Sequence, residues 1–404
     1  YTGDIKGVDN SGKSSVIEKE VKAGDMIYFV CNGGGNGAGG DATIRIKGGE
    51  LTSKAIGGGV GAGSGNGGSA SVTVEDGKLT ATTIGGGKGG ASGALGNATA
   101  NISGGEIKGQ FVMAQGANPC VFTMTGGTLQ GVDTSSEEYT YKNGGAVYIQ
   151  DTNGKVEISG GTIRGGVAEN GGAIYLGGGD VYIYGGSITG NTARQNGGGV
   201  YVGNGNFYME GGSLSGNHAE SGSGGGAYVH GSDHIRVSVR SGVIENNNAS
   251  IHGGAIAVIG SETTNDLIIT IGAKVKHYDE TGNRIACDHK EHGEAAQSEC
   301  PVIQNNRVTA EDSEGGAFYI TGNYETQFNT YCLVESGNTA DGGKSKSDFM
   351  KVDGGKLVIS TSQDDSVEDA AGGYGNIEVA GSFHVQGGQV QLKGDNPAPH
   401  LLGA

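Results

Sequence analysis

The chain has 404 residues, of which 86 are glycine, none is tryptophan and only 34% are hydrophobic. Its formal net charge is −17, a field that repels nucleic acid and anionic membranes and excludes both as expected partners. No run of about 18 or more apolar residues occurs, so no helical membrane insertion is expected in this segment.

Glycine and proline make up about a fifth of the chain, a composition that by itself fits a low-complexity segment. The apolar residues nevertheless recur in fixed register, which a packed core requires and disorder does not. One elongated domain built by stacking is therefore expected. The chain starts at Tyr1 with no initiating Met or signal peptide. It reads as a piece of a longer precursor whose topogenic and anchoring segments lie elsewhere.

Residues 1–40 are expected to cap the solenoid, because an open last coil presents unpaired backbone groups. Two short strand-like runs lie within 16–30, joined at Lys22-Ala23-Gly24-Asp25. From residue 41 the alternation is clean. Ile44 and Ile46, Val72 and Val74, Ala100 and Ile102, then Phe122 and Met124 each flank a polar residue and precede a turn glycine. Val156 and Ile158, Val181 and Ile183, Phe207 and Met209, and Val237 and Val239 continue the series. Period two of this kind is a strand with one buried face. A further apolar position follows each Gly-Gly or its equivalent, at Leu51, Leu79, Ile107, Leu129, Ile163, Ile188, Leu214 and Ile244.

Within 143–259 a third strand repeats five times. Gly-Gly-Ala-Val-Tyr-Ile at 144–149 is followed by counterparts at 171–176, 197–202, 224–229 and 253–258, and a sixth lies at 315–320 with Tyr319. Tyr148, Tyr175, Tyr201 and Tyr228 are spaced by 27, 26 and 27 residues. Strands at that period mark a solenoid rather than a globular domain. With three strands and about 27 residues per turn, the fold class is all-β, a three-sided parallel β-helix. A calcium-binding β-roll would need a glycine-aspartate nonapeptide that is missing here.

Two segments interrupt the period. Residues 133–142 read as an extra loop, and 276–301 as a larger insertion, charged and histidine-rich, at one corner. The expected organisation is a cap at 1–40, β-helix over 41–345, and irregular final coils with a C-terminal cap over 346–404. Asn191, Asn217, Asn247 and Asn306 recur three places after an apolar residue and are expected to form an internal ladder at one corner.

The Gly-Gly-Ala-Ile motif at 171–174 and 253–256, paired with these apolar-x-x-Asn elements, resembles the polymorphic outer-membrane protein type of repeat. The resemblance covers about 143–340 and more loosely 41–142, with Ile or Leu here where that family has Phe. It implies a right-handed β-helix, display on a bacterial surface or secretion, and adhesion; it does not imply a particular ligand.

The apolar neighbours of each column tyrosine point inward, so the tyrosines point outward. The row Tyr148, Tyr175, Tyr201 and Tyr228, interrupted at Ala257 and resumed at Tyr319, offers stacking faces and hydroxyls to a sugar or protein. Tyr182 and Tyr208 form a shorter second column. The competing reading is that like residues stack simply to stabilise the coils, at about 0.5–1.5 kcal/mol per pair. In the insertion, Cys287 and Cys300 read as a disulfide contributing about 3 kcal/mol. Zinc held by Cys287, Asp288, His289, His292 and Cys300, with His277 nearby, and free thiols are the alternatives, although the spacing is no standard zinc pattern.

A β-helix lyase or hydrolase would need converging carboxylates. Asp364-Asp365, and Glu311, Asp312 and Glu314, have no partner that the register brings alongside, and Arg236 and Arg240 share a strand with no acidic column. No catalytic residue, metal or cofactor is therefore assigned. The expectation is a non-enzymatic extracellular adhesin segment. Its partners would be a host or neighbouring-cell glycan, a mucin or other protein, or an immunoglobulin. A polysaccharide-cleaving enzyme and a purely structural stalk are the alternatives.

Overall fold

A computed structural model describes residues 41–58, 64–87, 96–114, 119–232, 235–260, 267–272, 277–278, 284–285, 301–321, 325–329, 334–340, 350–353, 356–360, 383–386 and 389–393. The expected N-terminal cap, Cys287 and Cys300 of the insertion, and Asp364-Asp365 lie outside the described residues. Among the described residues there is no helix, and every strand pairing is parallel except the short hairpin His277–Tyr278 with Arg284–Ile285. The result is a parallel β-solenoid of about 8 turns with roughly 28 residues per turn.

Each coil has three faces, named here in chain order. The first is the alternating strand, whose inward residues stack as Ile46, Val74, Ile102, Met124, Ile158, Ile183, Met209, Val239 and Ile271, all at most 1% exposed. The second carries Leu51, Leu79, Ile107, Leu129, Ile163, Ile188, Leu214, Ile244 and Ile303, equally buried. The third holds the tyrosine-bearing strands. Each such side chain contributes about 1.5–3 kcal/mol on leaving water, and the columns lock each coil onto the next.

The corner between the first two faces explains the Gly-Gly pairs. The second glycine is left-handed in successive coils, with φ of 82° at Gly161, 74° at Gly186 and 74° at Gly212. The ladder slips register at this bulge. A Cβ on Gly186 would lie 2.8 Å from the Gly160 carbonyl carbon, so glycine is required by contact as well as by conformation.

The corner between the second and third faces divides the chain in two. In coil 70–97 it hardly exists, because Ala70–Gly85 runs as one strand through Leu79 to Ile84. From Val167 onward it holds a two-residue strand per coil, such as Thr192–Ala193 and His218–Ala219, forming a separate 5-stranded sheet. At the opposite corner of the early coils lie the described glycines Gly58, Gly67, Gly68, Gly86, Gly87 and Gly96. There Gly87 N donates to Gly68 O at 2.9 Å and Gly96 N to Gly87 O at 2.8 Å. A Cβ on Gly96 would meet Gly68 O at 1.8 Å. Backbone packs directly on backbone.

The large insertion falls within a single coil. Leu267–Ile271 stacks on the first face at 235–239, and Val302–Gln304 stacks on the second face at 243–245. The corner that other coils turn with Gly-Gly falls between these two segments. Parallel stacking also runs past residue 345: Met350–Asp353 pairs with Phe318–Thr321, and Phe383–Gln386 with Met350–Asp353.

Candidate tyrosine-lined faces

The third-face column follows strict register from Tyr148 through Tyr175, Tyr201 and Tyr228 to Ala257, Tyr319 and Lys351. Its rings lie over one another at centroid distances of 5.4, 4.9 and 5.2 Å and interplanar angles of 18°, 11° and 20°. Tyr141, from the extra loop, closes the top of the stack at 5.0 Å. Gln110 anchors that loop end by donating its amide to the Tyr141, Asn143 and Gly144 carbonyls. Glu138 accepts from Thr82 Oγ1 at 2.8 Å, tying the loop back to an earlier coil.

This geometry changes the expectation of open stacking faces. The rings stack along the solenoid, so Tyr148, Tyr175 and Tyr201 each spend both faces on the rings above and below. Tyr148 is only 7% exposed and Tyr319 8%, while Tyr175, Tyr201 and Tyr228 are half-buried. What the column offers outward is ring edges and hydroxyls. Burial pushes the Tyr148 and Tyr201 phenols up to about 12, with neighbouring phenols adding to the shift. Tyr148 Oη donates to Gln150 Oε1.

Where Ala257 interrupts the column, the preceding His252 supplies a ring. It stacks on Tyr319 at 4.0 Å and 8°, and its Nδ1 accepts from the Glu314 backbone N–H at 3.2 Å. One coil further, Lys351 is fully buried and its Nζ meets Glu314 Oε1 at 3.0 Å. Glu314 is thereby committed to a structural ion pair, while Glu311 and Asp312 are exposed.

The second column lies on the first face and is more open. Tyr182 and Tyr208 are half-buried and stacked at 4.8 Å, and Tyr184 stands beside Tyr182 at 5.8 Å with 46% of its surface exposed. Lys155 Nζ sits 5.4 Å from the Tyr182 ring centroid and pairs with Glu157 at 2.7 Å. Tyr182 Oη donates to Asp180 Oδ2 at 3.1 Å; burial first, then the Asp180 charge, raises that phenol's pKa. Tyr184 had no counterpart in the sequence columns. Its signal is the outward position next after Tyr182 on the same strand.

Two asparagine columns brace these faces. The expected ladder of Asn191, Asn217, Asn247 and Asn306 is present and gains a fifth rung, Asn338. Each rung's amide donates to the next Oδ1 at 2.9–3.0 Å and to a carbonyl of the preceding coil. The residue before each rung is left-handed: Gly190, Gly216, Asn246, Asn305 and Gly337. A second column, Asn143, Asn170 and Asn196, lies just before the Gly-Gly pairs, each Oδ1 accepting a backbone N–H from the next coil. An Asn preceding Gly-Gly in three successive repeats was its sequence signal.

Cys120 is a free, buried thiol within reach of Asn97 Oδ1 and the Ala114 carbonyl, and burial pushes its pKa up to about 12. Such a thiol is unreactive. Among the described residues, no group of three or more His, Cys, Asp or Glu is placed to hold a metal ion. No protein-family model matches the chain, and neither a curated protein nor a solved structure does.

Proposed function

We propose that this chain is a non-enzymatic binding segment of a bacterial cell-surface or secreted protein, an adhesin that engages an extracellular partner through its outer faces. The observation that carries the reading is the first-face patch: Tyr184 is 46% exposed with Tyr182 and Tyr208 beside it. Contiguous aromatic surface rimmed by charge is the composition of recognition sites rather than of ordinary solvated strand faces. The resemblance of the Gly-Gly-Ala-Ile and apolar-x-x-Asn elements to surface-adhesin repeats supports the same reading. Glycans, mucin-type or other extracellular proteins, and immunoglobulins are the partner classes it names.

The test is a binding screen of the whole chain against extracellular glycans and proteins. It is followed by serine substitution of Tyr182, Tyr184 and Tyr208 together. Saturable binding should disappear in the triple variant; binding that survives it would remove the patch from consideration. Depolymerisation of a polysaccharide by the wild-type chain would instead favour an enzyme.

A second reading applies to the third-face column alone. Because Tyr175 and Tyr201 have both ring faces covered, that column is read as a stacking ladder for the solenoid, and its edges as secondary contacts.

A further inference from the structure

Within the proposed binding face, the lower end of the Tyr182–Tyr208 stack differs from the rest. Tyr208 is in register with Ser238, not with another aromatic residue, so its ring face toward that coil has no ring beneath it. Ser238 is flanked on its own strand by Arg236 and Arg240, all three outward-facing between the core residues Val237 and Val239.

The polar groups here are incompletely satisfied. Ser238 is 6% exposed, and its Oγ has no hydrogen-bond partner among the described residues. Arg240 Nε is likewise buried and without a partner, and Arg240 reaches Glu210 only at 4.0 Å. The Arg236 guanidinium is exposed and makes no ion pair among the described residues; only its backbone N–H is engaged, by Asn206 Oδ1 at 2.7 Å. Elsewhere on this face Asp180 accepts from Tyr182 and from Asn206 Nδ2 at 2.7 Å, and Glu157 pairs with Lys155. The Tyr208 phenol's pKa is raised by burial and then by the Asp180 charge, and both arginine charges pull it back down, so Arg236 and Arg240 both act at the Tyr208 ring.

Unsatisfied buried donors are rare in folded proteins and call for a partner. Here they include an arginine N–H and a hydroxyl, beside a second guanidinium that makes no ion pair among the described residues, at one end of an aromatic stack. We propose that this site takes a sulfated saccharide, with the sulfate over Ser238 between Arg236 and Arg240 and a sugar ring against the exposed part of Tyr208. The inference rests on the surface-binding reading above and names its ligand class. Two guanidinium groups and a hydroxyl match a group with three outward oxygens, whereas a planar carboxylate is filled by a single bidentate arginine. The chain's overall charge of −17 is screened beyond about 8 Å at physiological ionic strength, so the local cations govern the contact.

The probes are a chondroitin sulfate oligosaccharide, the same oligosaccharide after desulfation, and a hyaluronan oligosaccharide that carries carboxylates alone. They are titrated against the full chain and its Arg236→Gln/Arg240→Gln, Ser238→Ala and Tyr208→Ser variants, with thermal unfolding as the folding control. Desulfation and the double arginine change should each weaken binding strongly, the latter by about ten-fold per arginine. Added salt should weaken the sulfated ligand more steeply than the two carboxylate-only probes. Equal affinity for the sulfated and hyaluronan probes overturns the sulfate assignment. Binding of the desulfated probe that ignores the arginines but is lost in Tyr184→Ser overturns this site while leaving the surface-binding reading intact. Binding to none of the three saccharides also overturns the proposal, and the wider reading then turns on the protein screen.

Discussion

The coils at 41–114 and those at 143–340 solve the same stacking problem with different residues. One structural column runs through both: Gly57, Gly85 and Val112 in the first region are in register with Tyr148, Tyr175, Tyr201 and Tyr228 in the second. In the first region a Cβ on Gly57 would strike Gly85 O at 1.7 Å, so backbone fills the space that rings fill later. Their regular coils are of similar length: Asp41 binds Ser69 across 28 residues, and Asn191 binds Asn217 across 26. Which corner holds the spare residues is free to vary, and that choice decides whether a side-chain surface exists at all.

Alkaline pH should separate the two regions most strongly, because it strikes every ring together. No tyrosine lies between residues 41 and 138. Tyr148 and Tyr201 ionise near 10 when unfolded but at about 12 in the folded coils. A raised pKa means that the neutral form is favoured by folding. The stability from that preference is therefore whole below pH 10 and lost as pH climbs from 10 to about 12. Phenolate absorbance followed alongside amide exchange should show the 143–260 coils opening first. Simultaneous loss in 41–114 would mean that the regions are one cooperative unit.

Among substitutions, Asn217→Ala should cost most, about 3 kcal/mol. It removes the acceptor shared by the Asn191 backbone N–H and side-chain amide, and the amide donor to the Ile188 carbonyl and Asn247 Oδ1. Asn338→Ala, at the ladder's last described rung, should cost about half as much, and urea midpoints measure both. Gly85→Ala tests the other region: φ is 133° and the new methyl would sit 2.3 Å from Val112 O, for about 2–3 kcal/mol. Gly190→Ala is its control, with φ of 63° but nothing within 4 Å, and should cost only about 1 kcal/mol. Tyr201→Ser breaks two ring contacts and should cost about 2 kcal/mol. Tyr184→Ser should shift stability by less than about 0.5 kcal/mol while reducing ligand binding, which distinguishes the open face from the stacked one.

Much of this was legible in the chain. Alternation located the first-face strands because each inward residue must match the column above it, and the same logic found four ladder asparagines. Asn338 escaped because the residue three places before it is Glu335, the register partner of Ile303, so the apolar-x-x-Asn template fails there. The Gly337-Asn338 pair, a left-handed residue followed by a rung, repeats the backbone pattern and would have found it. Period two also reports that a tyrosine points outward, but not that a neighbour one coil away covers its face. Tyr141 was invisible as a stacking partner for a related reason: it comes from a loop with no period, brought into place by Gln110 and Glu138.

The asparagine ladder has a further consequence. Its rungs register coils and are indifferent to residue count: Asn247 passes its hydrogen bonds to Asn306 across 59 residues as readily as Asn191 does to Asn217 across 26. The ladder works as an indexing track, on which the chain leaves at one corner and must re-enter at the next tooth. The rung-to-rung hydrogen bonds set no length for the sequence between Asn247 and Asn306. A domain spliced there should leave the coils on either side in step.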